Sequence, residues 1–320
     1  MSVLNRRNFL GLLLGAPVHL QLPAQLPLPA DRLVQVRNEL QEIVNDRYIA
    51  LDLRALDEER RELFRIQFNA DKLLPVASCF KAFVVPWYFL TVPKMDWDDG
   101  AGSPVWEMAV NSRNYFTAVV LDQVARNVPG EGNAIEKFND FLLSTGLSNG
   151  IYLWRAGPTL EDLDRRFQPL RSTGRMVRLG ERQIPIFNVF TASDLANGYD
   201  FLARGGYYHS GPEVEVALQR ARALLGRSER GLLSPIERAY SPGYIGKHGT
   251  IPPQGIPTGF VLNDAGLLNI GKLQFIIAFM SVAEFEIDAM AALHEIVHLA
   301  ILLERELRHA PARDIPRVRG

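Results

Sequence analysis

Hydrophobic residues recur along this chain with two periods, and the alternation between them divides it into elements. Leu33-Val34-Gln35-Val36-Arg37-Asn38-Glu39-Leu40 carries apolar residues at helical spacing and predicts an amphipathic helix. Two strand-like runs follow, Tyr48 to Leu56 and Glu62 to Asn69, joined by the charged turn Asp57-Glu58-Glu59-Arg60. Helical spacing returns over Glu107 to Gln123 and over Glu213 to Leu225, where Gly226 ends it. Thr191-Ala192-Ser193-Asp194 starts another helix, and Ser234-Pro235-Ile236-Glu237 forms a capping box with proline at the first helical position. Gly205-Gly206 and Gly243 read as turns. Gly259 to Leu268 and Lys272 to Val282 predict a second hairpin turning at Asn269-Ile270-Gly271. In the last segment Phe285, Ala289, Ala292, Ile296, Ala300, Leu303 and Leu307 fall on one apolar stripe of a helix.

Composition narrows the class. With 320 residues, 47% of them hydrophobic and 22% charged, the chain is globular and long enough for a two-lobed core. A net charge of −1 offers no basic field for nucleic acid. The single cysteine, Cys79, excludes an internal disulfide, and its apolar surroundings predict core packing. No repeat, phosphate-binding loop or cofactor motif stands out.

The first 30 residues read as an export segment. Asn5-Arg6-Arg7-Asn8-Phe9-Leu10-Gly11 resembles a twin-arginine signal, followed by the short apolar run Leu12-Leu13-Leu14-Gly15-Ala16. That run is too short for an ordinary membrane span. Cleavage after Ala24 or Ala30 would leave no span and a slightly acidic chain in the bacterial cell envelope, periplasmic or extracellular.

Three short patterns carry the chemistry: Ser78-Cys79-Phe80-Lys81, Ser112-Arg113-Asn114 and Lys247-His248-Gly249. As S-x-x-K, S-x-N and K-x-G, each occurs once. In this order they resemble the motif set of the penicillin-recognising serine enzymes. The opening helix and hairpin, and Leu74-Pro75-Val76-Ala77 before the serine, are similar to class A β-lactamases, over about residues 31 to 310. The resemblance implies that Ser78 is the nucleophile and Lys81 its general base, with an amine pKa lowered by burial and a second cation. It implies that Lys247 is that cation and that Ser112 relays a proton to the leaving nitrogen. Asn114, His248, Gly249 and Thr250 would bind substrate, the Ser78 and Thr250 amides forming an oxyanion hole. No cofactor or metal is implied.

Departures from that family are equally plain. Ser78 and Ser112 lie closer together than in typical class A enzymes, so the intervening helices must shrink, with Val92 to Pro104 and its Asp96-Trp97-Asp98-Asp99-Gly100 loop in their place. Arg113 stands where the family usually has aspartate, and His248 where it has a hydroxyl residue, so the contact to a substrate carboxylate is altered or made by imidazole. The E-x-x-L-N glutamate that activates water has no counterpart between Ile151 and Val189. Glu161, Asp162, Asp164 and Glu181 lie there, and the deacylating base stays unassigned.

A rival pattern is His294-Glu295-Ile296-Val297-His298, an H-E-x-x-H zinc signature. Its two histidines fall opposite the apolar stripe, beside Arg305, and only Glu304, Glu306 and His309 follow as further ligands. A catalytic zinc needs a third ligand in a closed site, so a solvated helix face is the expected reading.

These readings predict an α/β (α+β) domain at 31–320: an antiparallel sheet flanked by N- and C-terminal helices, built from 31–75 and 240–320, with a helical lobe inserted at 76–239. The expected function is that of a monomeric serine acyl-transfer hydrolase acting on β-lactams or peptidoglycan-like amides. A β-lactamase-like peptidase or esterase, a non-catalytic envelope protein and a zinc hydrolase are the alternatives.

Overall fold

A computed structural model describes residues 30–44, 48–147, 152–153, 176–179, 182–185, 188–205, 211–228, 244–251, 260–283 and 286–309. The predicted opening forms as helix α1 (Ala30–Val44) and the strands β1 (Tyr48–Leu56) and β2 (Glu62–Phe68). Their turn closes with Arg60 at a φ of 61°, and the Asp57 side chain holds Arg61. A two-residue strand β3 (Leu74–Pro75) then leads to a 3-10 turn (Ala77–Phe80) and helix α2 (Lys81–Thr91). Every residue of α2 from Lys81 to Phe89 is buried, which makes it the central helix.

Helices α3 (Pro104–Ala109), α4 (Asn114–Asn127) and α5 (Ala134–Ser144) follow. Short strands come next: β4 (Tyr152–Leu153), β5 (Met176–Leu179), β6 (Arg182–Pro185) and β7 (Asn188–Phe190). Two further helices, α6 (Ala192–Arg204) and α7 (Pro212–Leu225), complete the insertion. The chain then returns to the sheet through β8 (Ile245–Ile251), β9 (Phe260–Ile270) and β10 (Leu273–Ala283), and ends the described region in α8 (Glu286–His309).

The main sheet has the order β2-β1-β10-β9-β8, antiparallel throughout. Strand alternation gives it two buried faces. On one, Leu51, Leu53, Phe275, Ile277 and Phe279 pack with Val36 and Leu40 of α1 and with Ala292, Ile296 and Ala300 of α8. On the other, Ala50, Leu267, Ile276 and Ala278 share a core with α2, α6 and the rest of the inserted lobe. The apolar periodicity of the last segment agrees with α8 where its side chains are described: Ala289, Ala292, Ile296, Ala300 and Leu303 of the stripe are buried, while His294, His298 and Arg305 are exposed.

The insertion is helical, yet strands thread it: β7 joins β3 to β4, and β5 pairs with β6. Helix α6 leans on α2 at Gly198, where an added Cβ would fall 2.1 Å from the Phe83 ring. A buried polar network ties the lobe to the sheet. The Asp52 carboxylate accepts two bonds at 2.9 Å from Arg54 and others from Arg65 and Gln67, while Arg54 reaches Asn197 of α6 at 2.7 Å.

One expectation needs correcting. Apolar spacing predicted an unbroken helix over Glu107 to Gln123, but the backbone leaves helix after Ala109 and re-enters it at Asn114. Both segments bury the same side, so the spacing runs on across the break. Ser112 occupies the break with a φ of 59°, and Arg113 bridges it with an ion pair to Glu107 at 3.1 Å.

The expected shortening between Ser78 and Ser112 is present. Only α3 and the 92–104 segment separate α2 from the break, and that segment is anchored by Trp97 Nε1 donating to the Val92 carbonyl and the Asp98 amide donating to the Tyr88 hydroxyl. The capping box at Ser234 to Glu237, the turns at Gly206 and Gly243, and residues 1–29 lie outside the described residues.

Candidate active site

Ser78 lies half-buried in the 3-10 turn at the entry to α2, and Lys81 is the first residue of that helix. The turn is strained at Ala77, whose φ of 50° is unusual for a residue with a side chain. Its advantage is direction: the helix begins one turn past the serine, so the Lys81 stem runs inward beneath it and is 1% exposed.

The Lys81 ammonium is held by three acceptors supplied by the helix break. It donates to the Ser112 carbonyl at 2.7 Å, to Ser112 Oγ at 3.4 Å and to Asn114 Oδ1 at 2.6 Å. This accounts for the interruption of helical backbone: a carbonyl inside a continuous helix would be occupied by its own ladder. The left-handed Ser112 turns that carbonyl toward Lys81. Burial first, and then the nearby Lys247 cation, lower the Lys81 pKa from 10.5 to about 7. A substantial fraction is thus a neutral amine near neutral pH.

Lys247 enters from the sheet. It sits on the edge strand β8, fully buried, and donates to the His248 carbonyl at 3.0 Å. Gly249, two residues on, brings strand and nucleophile turn into backbone contact. A Cβ there would fall 2.5 Å from the Ser78 nitrogen and 3.0 Å from the Cys79 nitrogen. Glycine is required at this point because the two backbones leave no room for a side chain. Thr250 follows at once, exposed at the strand edge.

Sequence spacing therefore named a group that the fold brings together: Ser78, Lys81, Ser112, Asn114, Lys247 and Gly249. His248 is the exception. It lies opposite Asp264 in register, and Lys247 lies opposite Ala265, so the two side chains emerge on opposite faces of the sheet. On the His248 side, the Tyr244 hydroxyl has Asp264 and the Ala265 carbonyl as acceptors for its one proton.

Asn114 has a part that sequence reasoning missed, as a direct acceptor for Lys81. Its place two residues after Ser112 was the available signal. Cys79 is buried as expected, and its thiol, pushed up by burial and by the Asp264 charge, donates to the Lys247 carbonyl at 3.1 Å. Nothing in a lone cysteine announced that contact.

Glu161, Asp162, Asp164 and Glu181 lie outside the described residues. His294 and His298 are on α8, across the sheet from Lys81. Among the described residues no group of three or more histidine, cysteine or acidic side chains is arranged to hold a metal. No described helix is long and apolar enough to cross a membrane.

No protein-family model and no curated protein matches the chain. Solved structures do. A β-lactamase from Chitinophaga pinensis superposes with a TM-score of 0.57 at 11% identity, covering 84% of this chain and 99% of that one. A β-lactamase from Sphaerobacter thermophilus gives 0.54 at 16% identity, covering 84% and 96%. A point mutant of PBP-A, in an acyl-enzyme complex with penicillin G, gives 0.56 at 14% identity, covering 86% and 97%. The chain has the β-lactamase/transpeptidase-like fold.

Proposed function

We propose that this protein is a serine acyl-transfer hydrolase that opens β-lactams or related amides through an acyl-enzyme on Ser78. The observation that carries the reading is the Lys81 amine, buried beside Ser112 and held at a pKa of about 7. An amine so tuned can take the Ser78 proton as Oγ bonds to the substrate carbonyl. The carbonyl π electrons move to oxygen, where the Ser78 and Thr250 amides receive the charge. When the C–N bond breaks, the Lys81 proton passes through Ser112 Oγ to the leaving nitrogen. Lys247 keeps Lys81 from holding its proton, and Asn114 and the Gly249–Thr250 strand orient the substrate.

A second reading, a β-lactamase-like peptidase or esterase outside antibiotic resistance, draws support from His248 and Arg113 at motif positions and from the missing E-x-x-L-N glutamate. A penicillin and a fluorophosphonate separate the two. Mass spectrometry should find one adduct with at least one of them, on Ser78, absent in Ser78→Ala. An adduct that survives Ser78→Ala, or maps elsewhere, overturns the assignment.

The same proposal puts the protein, as a monomer, in the cell envelope after twin-arginine export. Residues 1–30 fused to a folded reporter should carry it across the membrane, and Arg6→Lys with Arg7→Lys should stop it. Export unaffected by that pair would remove the signal reading.

A further inference from the structure

Cys79 lies one residue beyond the candidate nucleophile, is fully buried, and has no part in the proton route above. Its surroundings keep it a neutral thiol, a weak hydrogen-bond donor. The acceptor it meets is the Lys247 carbonyl, 168 residues away in sequence, at 3.1 Å.

That partner matters because, among the described residues, β8 is the end strand of the main sheet and pairs with β9 alone. Its position relative to the nucleophile turn must be fixed from the other side. Gly249 permits close approach to the Ser78 and Cys79 amides. The Cys79 thiol supplies a directional bond, at the residue whose ammonium acts on Lys81.

We propose that Cys79 is a positioning residue, its thiol hydrogen bond fixing the K-x-G strand against the nucleophile turn and thereby placing the Lys247 ammonium and the Thr250 amide relative to Ser78. The inference rests on the reading of Ser78 as nucleophile. It assigns a function to a side chain that the acyl-transfer chemistry does not need. Without the bond, β8 keeps its ladder to β9 but loses a directional tie to the nucleophile turn at Lys247. The Lys81 amine then loses part of the repulsion that helps keep it neutral, and the oxyanion donor at Thr250 drifts from its partner at Ser78.

The test compares Cys79→Ala, which removes the donor, with Cys79→Ser, which keeps one. Acylation by the reagent that labels wild type is followed from pH 5.5 to 9, with thermal melts as a check on folding. Cys79→Ala should acylate about 2- to 5-fold more slowly, the rate equivalent of one weak S–H···O hydrogen bond. Its acid limb should also move to higher pH, because the Lys247 cation depresses Lys81 less. Cys79→Ser should recover both the rate and the limb.

A merely structural cysteine would lower the melting temperature without moving the limb. Wild-type acylation by Cys79→Ala, a slower rate on an unmoved limb, or Cys79→Ser no better than alanine overturns the proposal. Should Cys79→Ala fail to fold, Cys79→Val fills the space without a donor and takes its place. A wild-type protein that neither reagent labels fails the Ser78 reading instead, before any variant is compared.

Discussion

Replacing Lys81 by methionine separates the buried amine from everything else in the molecule that titrates. In the folded protein its pKa is about 7, chiefly through burial and then through Lys247. On unfolding it returns to its ordinary 10.5. Between those values the unfolded chain holds a proton that the folded chain lacks, so stability rises with pH across the window. The slope is about 1.4 kcal/mol per pH unit, and the full window is worth on the order of 5 kcal/mol. That is comparable to the whole stability of many domains. Lys81 is 1% exposed, so solvent screening gives no reason to discount it.

Lys81→Met keeps an unbranched apolar stem and removes the charge. Its lost hydrogen bonds to Ser112 and Asn114 offset the stability by a constant, not by a slope. Tyr199 and Tyr244, whose hydroxyls burial pushes up, lose stability toward high pH in both proteins and cancel in the difference. Urea unfolding of the pair from pH 6 to 10 reads the effect. Relative to wild type, the variant should be at its most stable at pH 6 to 7, and this advantage should shrink by about 1.4 kcal/mol per unit up to pH 10. A difference independent of pH would refute the argument, because an amine titrating near 10 is too protonated at pH 7 to serve as a base.

Other consequences can be checked singly. General-base activation of water is worth about 10²–10⁴ in rate, and its usual glutamate is missing. A chromogenic cephalosporin should therefore give a burst near one equivalent and then slow turnover. Steady hydrolysis without a burst, lost in Glu161→Gln or Glu181→Gln alone, would identify the base and end that expectation. His294→Ala with His298→Ala should leave acylation unchanged and chelators should have no effect; stoichiometric zinc whose removal stops activity would reverse the reading of α8. Gly249→Ala should cut acylation by about 5- to 150-fold, since overpacking of about 1–3 kcal/mol must be relieved by moving strand from nucleophile. Wild-type acylation by that variant would show that the contact is slack. Asp52→Ala should lower unfolding free energy by about 3–5 kcal/mol, because it strands Arg54 in the core; a loss under 1 kcal/mol in urea denaturation would show the network to be dispensable.

Much of this fold was legible because its elements obey simple periods. The β1–β2 turn, the β9–β10 hairpin and the buried stripe of α8 all follow from alternation or helical spacing in a chain segregated into two cores. The Ser112 break was not legible, since periodicity reports which side is buried and not whether the backbone ladder continues. What interrupts it is a demand from elsewhere in the chain, the need of the buried Lys81 ammonium for acceptors. The Arg54 bond to Asn197 and the Cys79 bond to Lys247 were hidden for the same reason. Each joins residues far apart in sequence, and neither leaves a local pattern.

This difference bears on where the chemistry resides. The three motifs name side chains, but the tuning of Lys81 comes from their arrangement: a strained Ala77 that turns the helix inward, a left-handed Ser112 that presents a carbonyl, and an edge strand that places a second cation close by. Two of the four described non-glycine residues with left-handed φ, Ala77 and Ser112, sit at two of the three motifs, as expected when surrounding packing holds a site in a conformation that local preference disfavours. Retaining the motifs without this geometry would leave Lys81 exposed to solvent and titrating as an ordinary amine. The pH dependence of acylation is therefore a sharper discriminator between an enzyme and a relict of the same fold than the presence of Ser78 and Lys81. A non-catalytic protein could keep both residues, but it would have no reason to maintain the cost of a buried amine poised near 7.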